Sequence, residues 1–390
     1  MQQILVLNLG STSFKFKLFD MKDDERCIAI GGVENIGAKA RISVKFGEQK
    51  ARDTCTCETH MDAMTQCMGV LSKLGLSIDI GTLCAVGYKA VHGGRISGSQ
   101  VVDDTLLDEM ERMVDFAPAH NPVYLTMMRQ IRETYPNLVQ IACFETSFHA
   151  TIPMERVVYG VPYDWIEEYG VRRYGFHGSS HSYIAHRMKE LAPHAQRIIS
   201  IHLGGSSSLC AIKAGKSVAT SMGATPQSGL FQNNRVGDFD AFCLPSLIKA
   251  LGGQEEVYGQ LSSKSGLLGL SGVSNDMRLI KQAAKEGNKR AQLALAAYAD
   301  NIVGYIGMFT AYLGGLDAIC FTGGIGFNDA ELRYTVTHKL TFVQAKLDEG
   351  KNFAGYEGKI SAVDSSVEIW LLETNEELMV ARVCLDALDK

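Results

Sequence analysis

Residues 4–19 read ILVLNLGSTSFKFKLF, and residues 198–212 read IISIHLGGSSSLCAI. The first stretch is an apolar run broken only by Asn8. A turn of Gly10, Ser11, Thr12 and Ser13 follows, and residues 14–19 then alternate apolar side chains with Lys15 and Lys17, the period of a half-buried strand. The second stretch repeats the design. Its apolar run is interrupted by Ser200 and His202, residues 204–208 form a glycine and serine turn, and residues 209–212 return as a strand. In both copies a polar residue, Asn8 or His202, stands two places before the first glycine. The copies lie about half the chain apart. The repetition predicts an internal duplication, two related α/β domains facing a cleft.

Working outward, residues 84–91 form another short strand, which ends in His92, Gly93 and Gly94. Residues 102–115 carry apolar positions at helical spacing, and 125–131 read as a second helix. Residues 138–144 are a strand leading into Glu145. Residues 276–314 are largely helical by period and alanine content, and 316–321 are a strand running into Gly323, Gly324, Ile325 and Gly326. A late strand at 367–372 and a terminal helix at 376–388 complete an alternating pattern that argues an α/β class.

The chain of 390 residues is 46% hydrophobic and 21% charged, an ordinary globular composition, and its length fits two domains. A net charge of -5, with no long basic block, argues against nucleic acid as a partner. The ten cysteines form no CxxC pair and no regular spacing, so they read as reduced thiols in a cytoplasmic protein; Cys55 and Cys57 are the only close pair. No signal peptide opens the sequence, and no segment approaches the roughly 18 apolar residues of a membrane span, so no membrane partner is expected.

Three clusters carry chemistry. Glycine and serine turns let backbone N–H groups approach phosphate oxygens, and hydroxyls add donors. A single such turn is usually a plain hairpin. Two at corresponding places, with a third glycine cluster at 323–326, point to phosphate. Neither GxGxxG nor GxxxxGK[ST] is present. The second cluster runs from Tyr174 to His181. His177, between small residues, suits a substrate-facing role, whereas packing or a helix cap would explain His181 as well as function does. In the third, Asn234 to Asp240, Arg235 beside Gly237 is either a surface ion-pair loop or a fork for a planar phosphoryl group.

These residues resemble the acetate kinase family of the acetate and sugar kinase–Hsp70–actin superfamily. The likeness runs through LNLGSTSFKFKLFD, VHGG at 91–94, APAHNP at 117–122, RRYGFHGSSH at 172–181 and SMGATPQSGL at 221–230. It continues through SGLLGLSG at 265–272, GGLDAICFTGGIG at 314–326 and TNEELMVA at 374–381. RRYGFHG and TNEEL are specific to the family. The resemblance implies duplicated actin-like, ribonuclease H-like domains with an interdomain cleft. The first would be 1–148 completed by helix 377–390, and the second 149–376, nucleotide-binding and dimerising. It implies Mg²⁺-dependent (or Mn²⁺-dependent), reversible in-line transfer between ATP and acetate, yielding acetyl phosphate and ADP, by a cytoplasmic homodimer.

By the same resemblance, His177, Arg235 and His120 contact the transferring phosphoryl group, and Glu145 is a catalytic or orienting carboxylate. Asn8 and Glu376 would hold the metal. Lys89 would grip the substrate carboxylate, with Val91, Ala119, Phe176 and Pro226 as pocket walls. Lys15 belongs to the first phosphate loop, and His202, Gly204, Gly205 and Ser206 to the second. Asp276, Met277 and Arg278 would line one side of the adenosine pocket, and Gly324, Ile325, Gly326, Phe327 and Asn328 the other. The sequence departs from the family at several of these. Lys89 stands for an arginine, Glu145 for an aspartate and Ala119 for a leucine, which leaves propionate, butyrate or another small acid as alternatives to acetate. HLGGS replaces HLGNG, and Phe327 replaces an acid, where it would stack on or crowd the adenine; both leave GTP and pyrophosphate open as donors beside ATP. A nucleotide-binding regulator of the same fold is a further alternative, against which Asn8, His120, His177, Arg235 and Glu376 argue. A sugar or glycerol kinase would leave RRYGFHG unexplained.

Overall fold

The computed structural model describes residues 2–96, 98–118 and 120–388. The chain divides into two compact units. Unit one holds the described residues up to Ala150 and those from Asn375 onward; unit two is Thr151–Thr374.

Unit one is built on eight strands: β1 Gln3–Gly10, β2 Ser13–Asp20, β3 Arg26–Glu34, β4 Ala40–Phe46, β5 Gln49–Cys55, β6 Ala85–Ala90, β7 Ser99–Val101 and β8 Gln140–Phe144. Their order is β5-β4-β3-β2-β1-β6-β8-β7. The first five form an antiparallel meander, β6 lies parallel to β1, β8 parallel to β6, and β7 closes the edge antiparallel. Successive side chains on a strand point to opposite faces. Leu5, Leu7 and Leu9 of β1 therefore pack into one layer with the helices His60–Lys73, Asp104–Arg112 and Asn121–Thr134, while Ile4 and Val6 pack into another with Val380, Ala381 and Cys384 of the terminal helix Glu376–Leu388. Covered on both faces, β1 needs the continuous apolar run that its sequence shows.

Unit two has six strands: β9 Arg197–Leu203, β10 Ser207–Lys213, β11 Lys216–Thr220, β12 Ala318–Thr322, β13 Gly358–Lys359 and β14 Glu368–Leu371, in the order β11-β10-β9-β12-β14-β13. An antiparallel meander again comes first, and its opening strand is flanked by a parallel strand, then by a second. The series β3-β2-β1-β6-β8 and β11-β10-β9-β12-β14 thus share one topology, the duplication that the two hairpin sequences announce.

The long helical stretch expected at 276–314 is two helices, Met277–Lys285 and Lys289–Leu313. Gly287 at φ +94° ends the first, and Asn288 caps the second by accepting from the Ala291 amide. The second overturns one expectation, because it is long and apolar enough to cross a membrane. Here it is the core helix of unit two. Ala291, Ala294, Tyr298, Ile302, Ile306, Phe309 and Leu313 recur at helical spacing on its buried face, against Ile199, Ile201, Leu209 and Ala211. The glycine cluster 323–326 is likewise more than a turn, since it opens a short helix, Gly323–Asn328. Gly323 takes φ +78°, and a Cβ there would meet the Leu203 carbonyl oxygen at 2.6 Å.

Candidate active site

In open sheets of this kind, ligands collect beyond the carboxyl ends of the parallel strands. The candidate residues of unit one gather there. Asn8 follows the Leu7–Tyr88 pair of β1 and β6, beside Lys89, and it stands opposite Lys15 in the β1–β2 register. Glu145 directly follows β8, and its amide donates to the Ala90 carbonyl at 2.9 Å. Lys15 is exposed, Asn8 and Val91 are half-buried, and Glu145 is buried. His120 precedes the Asn121–Thr134 helix, whose first residue, Asn121, is buried and donates to the His92 and Met110 carbonyls. Ala119 lies outside the described residues.

Lys89 is ion-paired with Glu376 at the start of the terminal helix, and both side chains are largely enclosed. Burial pulls the Lys89 ammonium down, but the carboxylates of Glu376 and then Glu145 outweigh it and hold its pKa above the ordinary value. Lys17 repeats the arrangement on β2, pairing with Glu377 at 3.0 Å and donating to Asn375 Oδ1 at 3.3 Å. Burial raises the Glu377 carboxyl, yet Lys17 and Lys89 keep it below the usual range. The residue expected to grip substrate thus also holds the carboxylate expected to bind metal. Among the described residues, no three His, Cys, Asp or Glu side chains converge to cage an ion. An amide and a carboxylate are a sparse set of oxygen donors. Such a set fits Mg²⁺, which keeps waters and takes phosphate oxygens as further ligands.

Unit two holds the second group. His177 precedes the helix Gly178–Leu191 with φ +56°, a left-handed conformation that costs a non-glycine residue about 1–2 kcal/mol. Its ring stacks on that of His202 at a centroid distance of 4.3 Å, and its Nδ1 lies 2.8 Å from Ser208 Oγ. Ser180 Oγ lies 2.8 Å from His202 Nδ1. His181 is fully buried among serines, so its place in the sequence reflects the interior and not a ligand. Phe176 is buried as well, and Pro226 is half-buried.

Arg235 sits in a turn locked from several sides. The Gln232 amide donates to the Arg235 carbonyl, the Ser265 amide to that of Asn234, and the Leu267 amide to that of Gln232. Gly266 abuts this turn with φ +59°; a Cβ there would come within 2.0 Å of the Gln232 oxygen and 2.7 Å of the Arg235 oxygen. The Arg235 guanidinium is half-buried. Its Nη1 donates to Ser206 Oγ at 3.2 Å, Gln232 Oε1 at 3.3 Å and the Pro226 carbonyl at 3.5 Å, all neutral acceptors. Burial lowers its pKa. Ser206, one of the departures in the second loop, therefore serves as an anchor for this arginine.

Beside it, still within unit two, opens a pocket of about 780 Å³. Gly204, Gly205, Asp276, Met277, Arg278, Gly324, Ile325 and Asn328 line it. His202 and Ser206 lie near Arg235 and His177 instead, outside the lining. Two predicted residues are corrected. Gly326 is buried, and Phe327 packs against the hydrophobic core with its carbonyl bound by Arg333, so neither lines the pocket and Phe327 is not placed to stack on a base. Asp276 caps the Met277–Lys285 helix, and its hydrogen bonds with Arg278 take its carboxyl down to about 2. Asn233, Asn275, Lys281, Gln282, Lys285 and Asp329 also line the pocket and were missed. Lys281 and Lys285 could have been found, because they follow Met277 at steps of four on one helix face. Lys281 donates to Asp329 Oδ1 at 2.7 Å and pairs with Glu331 Oε2 at 2.6 Å.

The family described as the acetokinase family matches residues 3–382. A propionate kinase of Citrobacter rodentium is 42% identical over 387 residues, 97% of this chain and 95% of its own. An acetate kinase of Dictyoglomus thermophilum is 42% identical over 399 residues, covering both chains completely. The crystal structure of Porphyromonas gingivalis acetate kinase superposes with a TM-score of 0.90 at 36% identity, again over the whole of both chains.

Proposed function

The chain belongs to the acetokinase family, a family of phosphotransferases with a carboxyl acceptor that use ATP or ADP and a divalent cation, and we propose that it moves a phosphoryl group between ATP and acetate, with Mg²⁺ as the cation. The acceptor is a carboxylate, already anionic at neutral pH, so no base is needed to activate it. The difficulty is to bring two anions together and to spread charge over the transferring group. A carboxylate oxygen attacks the γ-phosphorus, the bond to the β-phosphate oxygen breaks, and ADP leaves with its electron pair.

One observation carries this reading. Arg235 is a half-buried guanidinium that, among the described residues, meets only neutral acceptors, beside a nucleotide-sized pocket and on a turn held in place by Gly266. A cation held in this way suits an anionic ligand. His177 and His120 would add donors to the phosphoryl oxygens. Asn8 and Glu376 would hold the cation, which when bound neutralises phosphate charge. Lys89 would attract the acceptor carboxylate, with Glu145 steadying it electrostatically. The test is formation of acyl hydroxamate from ATP, Mg²⁺ and a panel of C1 to C5 acids. Acetyl phosphate formation is the expected result; no acyl phosphate from any acid would leave only a nucleotide-binding regulator.

A second acceptor has support of its own. The Citrobacter relative named propionate kinase is as similar as the acetate kinase just cited, and Ala119 is smaller than the leucine it replaces. The ratio of kcat/KM for propionate and acetate decides between them. The proposal extends to a cytoplasmic homodimer, in keeping with ten free thiols. The helix Leu244–Leu251 of unit two buries none of its residues, Phe242 beside it is 92% exposed, and Leu251 and Tyr258 are exposed as well. Association covers apolar faces of this kind. Sedimentation is expected to show a dimer, and Ile248→Asp a shift to monomer.

A further inference from the structure

Four side chains of unit two form a line, buried at all but its half-buried His177 end. Ser200 Oγ lies 2.8 Å from His181 Nδ1, His181 Nε2 lies 2.9 Å from Ser208 Oγ, and Ser208 Oγ lies 2.8 Å from His177 Nδ1. Ser200, Ser208 and His181 have no solvent exposure. Ser200 comes from β9, Ser208 from β10, and His181 from the first turn of the Gly178–Leu191 helix. The line ends on the histidine whose ring is stacked on His202 and whose backbone is held in the left-handed region.

Counting hydrogens decides which way the line runs. A serine hydroxyl has one hydrogen, and a neutral imidazole has one N–H. Ser208 faces two ring nitrogens; were it to accept from both, its own buried hydrogen would have no acceptor among the described residues, so it donates to one and accepts from the other. In the first direction, His177 Nδ1–H donates to Ser208, Ser208 to His181 Nε2, and His181 Nδ1–H to Ser200. The Ser200 hydrogen then has no acceptor, because His181 is the only side-chain partner of Ser200 among the described residues. A buried donor left without an acceptor is costly. In the second direction, Ser200 donates to His181 Nδ1, His181 Nε2–H to Ser208, and Ser208 to His177 Nδ1. Each of these hydrogens then has an acceptor within the line, and the N–H of His177 falls on Nε2.

We infer that Ser200, His181 and Ser208 are positioning residues that hold His177 as its Nε2–H tautomer, so that a neutral imidazole donates a hydrogen bond to an oxygen of the transferring phosphoryl group. The inference rests on the reading above that His177 meets that group. It gives the histidine of RRYGFHG a defined electrical state, a donor that carries no charge and so needs no acidic pH. It also gives His181, Ser200 and Ser208 a role that packing alone would not require.

The experiment uses the full-length protein. Nitrogen-15 NMR of histidine-labelled enzyme, with the His177 signals assigned by their loss in His177→Ala, is expected to show Nε2–H at neutral pH. Ser208→Ala is expected to mix the tautomers and lower kcat roughly 10- to 100-fold with KM for ATP and acid little changed. Ser208→Thr, which keeps the hydroxyl, should restore the tautomer and most of the rate. In a His177→Ala background, Ser208→Ala should cost nothing further. An Nδ1–H tautomer in the wild-type protein overturns the relay. A full additional loss in the His177→Ala background overturns its action through His177. If His177→Ala itself leaves kcat unchanged, the phosphoryl contact falls, while the tautomer measurement still decides the relay.

Discussion

Arg235 meets neutral acceptors on a turn that Gly266 lets the chain approach closely. Removing a donor aimed at developing charge typically costs 10²- to 10³-fold, so Arg235→Ala should lower kcat by about that factor while circular dichroism stays native. Arg235→Lys keeps the charge but not the planar fork, and should recover only part of the rate. Gly266→Ala should mimic the loss from a distance, because its Cβ cannot fit against the Gln232 and Arg235 carbonyls without moving the turn; single-turnover rates would report it. On the proposed reading of the substrate site, Ala119→Leu is expected to raise the acetate to propionate ratio of kcat/KM by roughly 10-fold or more, the scale of one pocket methylene. An unmoved ratio would show that Ala119 does not set pocket size. Arg235 and His177 were legible in the sequence because small neighbours mark places where backbone and ligand approach closely. Asp329 was not, since it reads as a surface charge until the fold brings it to one wall with Lys281. The capture of Lys89 by Glu376 joins residues far apart in sequence, and no spacing rule announces it.

The helix Gly323–Asn328 borders the pocket proposed for the nucleotide, and its outer end is held by one side chain. Arg333, 1% exposed, donates to the Gly326 and Phe327 carbonyls and to Asn352 Oδ1 and its carbonyl. Burial pushes its guanidinium down to about 10, still charged at working pH. Arg333→Met would leave four acceptors without their donor, at a cost of roughly 2–4 kcal/mol. The expected outcome is a fall in Tm of about 10 °C and a rise in KM for ATP larger than any change for the acid, measured by calorimetry and initial rates. The two hairpins and the parallel strands were legible because β1, β6, β9 and β12 are covered on both faces and so carry nearly continuous apolar runs, broken only at a few polar positions such as Asn8, Lys89, Ser200 and His202. Strands β3 to β5 were not. β5, QKARDTC, buries no residue and lies at the sheet edge, where charge protects against wrong pairing and erases the alternation that reveals a strand.

At the scale of the whole chain, unit one cannot be completed until the last residues are made. The polypeptide leaves it at Ala150 and returns at Asn375. The returning helix Glu376–Leu388 covers Ile4, Val6, Phe19, Ala85, Ile141 and Cys143 with Val380, Ala381 and Cys384, and it adds the pairs Lys89–Glu376, Lys17–Glu377 and Glu25–Arg382. Leaving an aliphatic or aromatic side chain exposed forfeits about 1.5–3 kcal/mol. Uncovering several of these at once approaches the 5–15 kcal/mol that typically holds a domain together. A chain ending at Thr374 should therefore fail to hold unit one. Hydrogen exchange is expected to lose protection in β1, β6 and β8, while β9, β10 and β12, whose core lies within Thr151–Thr374, keep theirs. Glu376→Gln separates architecture from chemistry. It leaves the apolar cover in place, so exchange should stay near native, but it removes the carboxylate that pairs with Lys89 and, in the proposed reaction, holds the cation. Its activity should fall steeply. Native protection in the truncated chain would mean that the sheet stands without its last helix, and TNEEL would then matter for its acids alone.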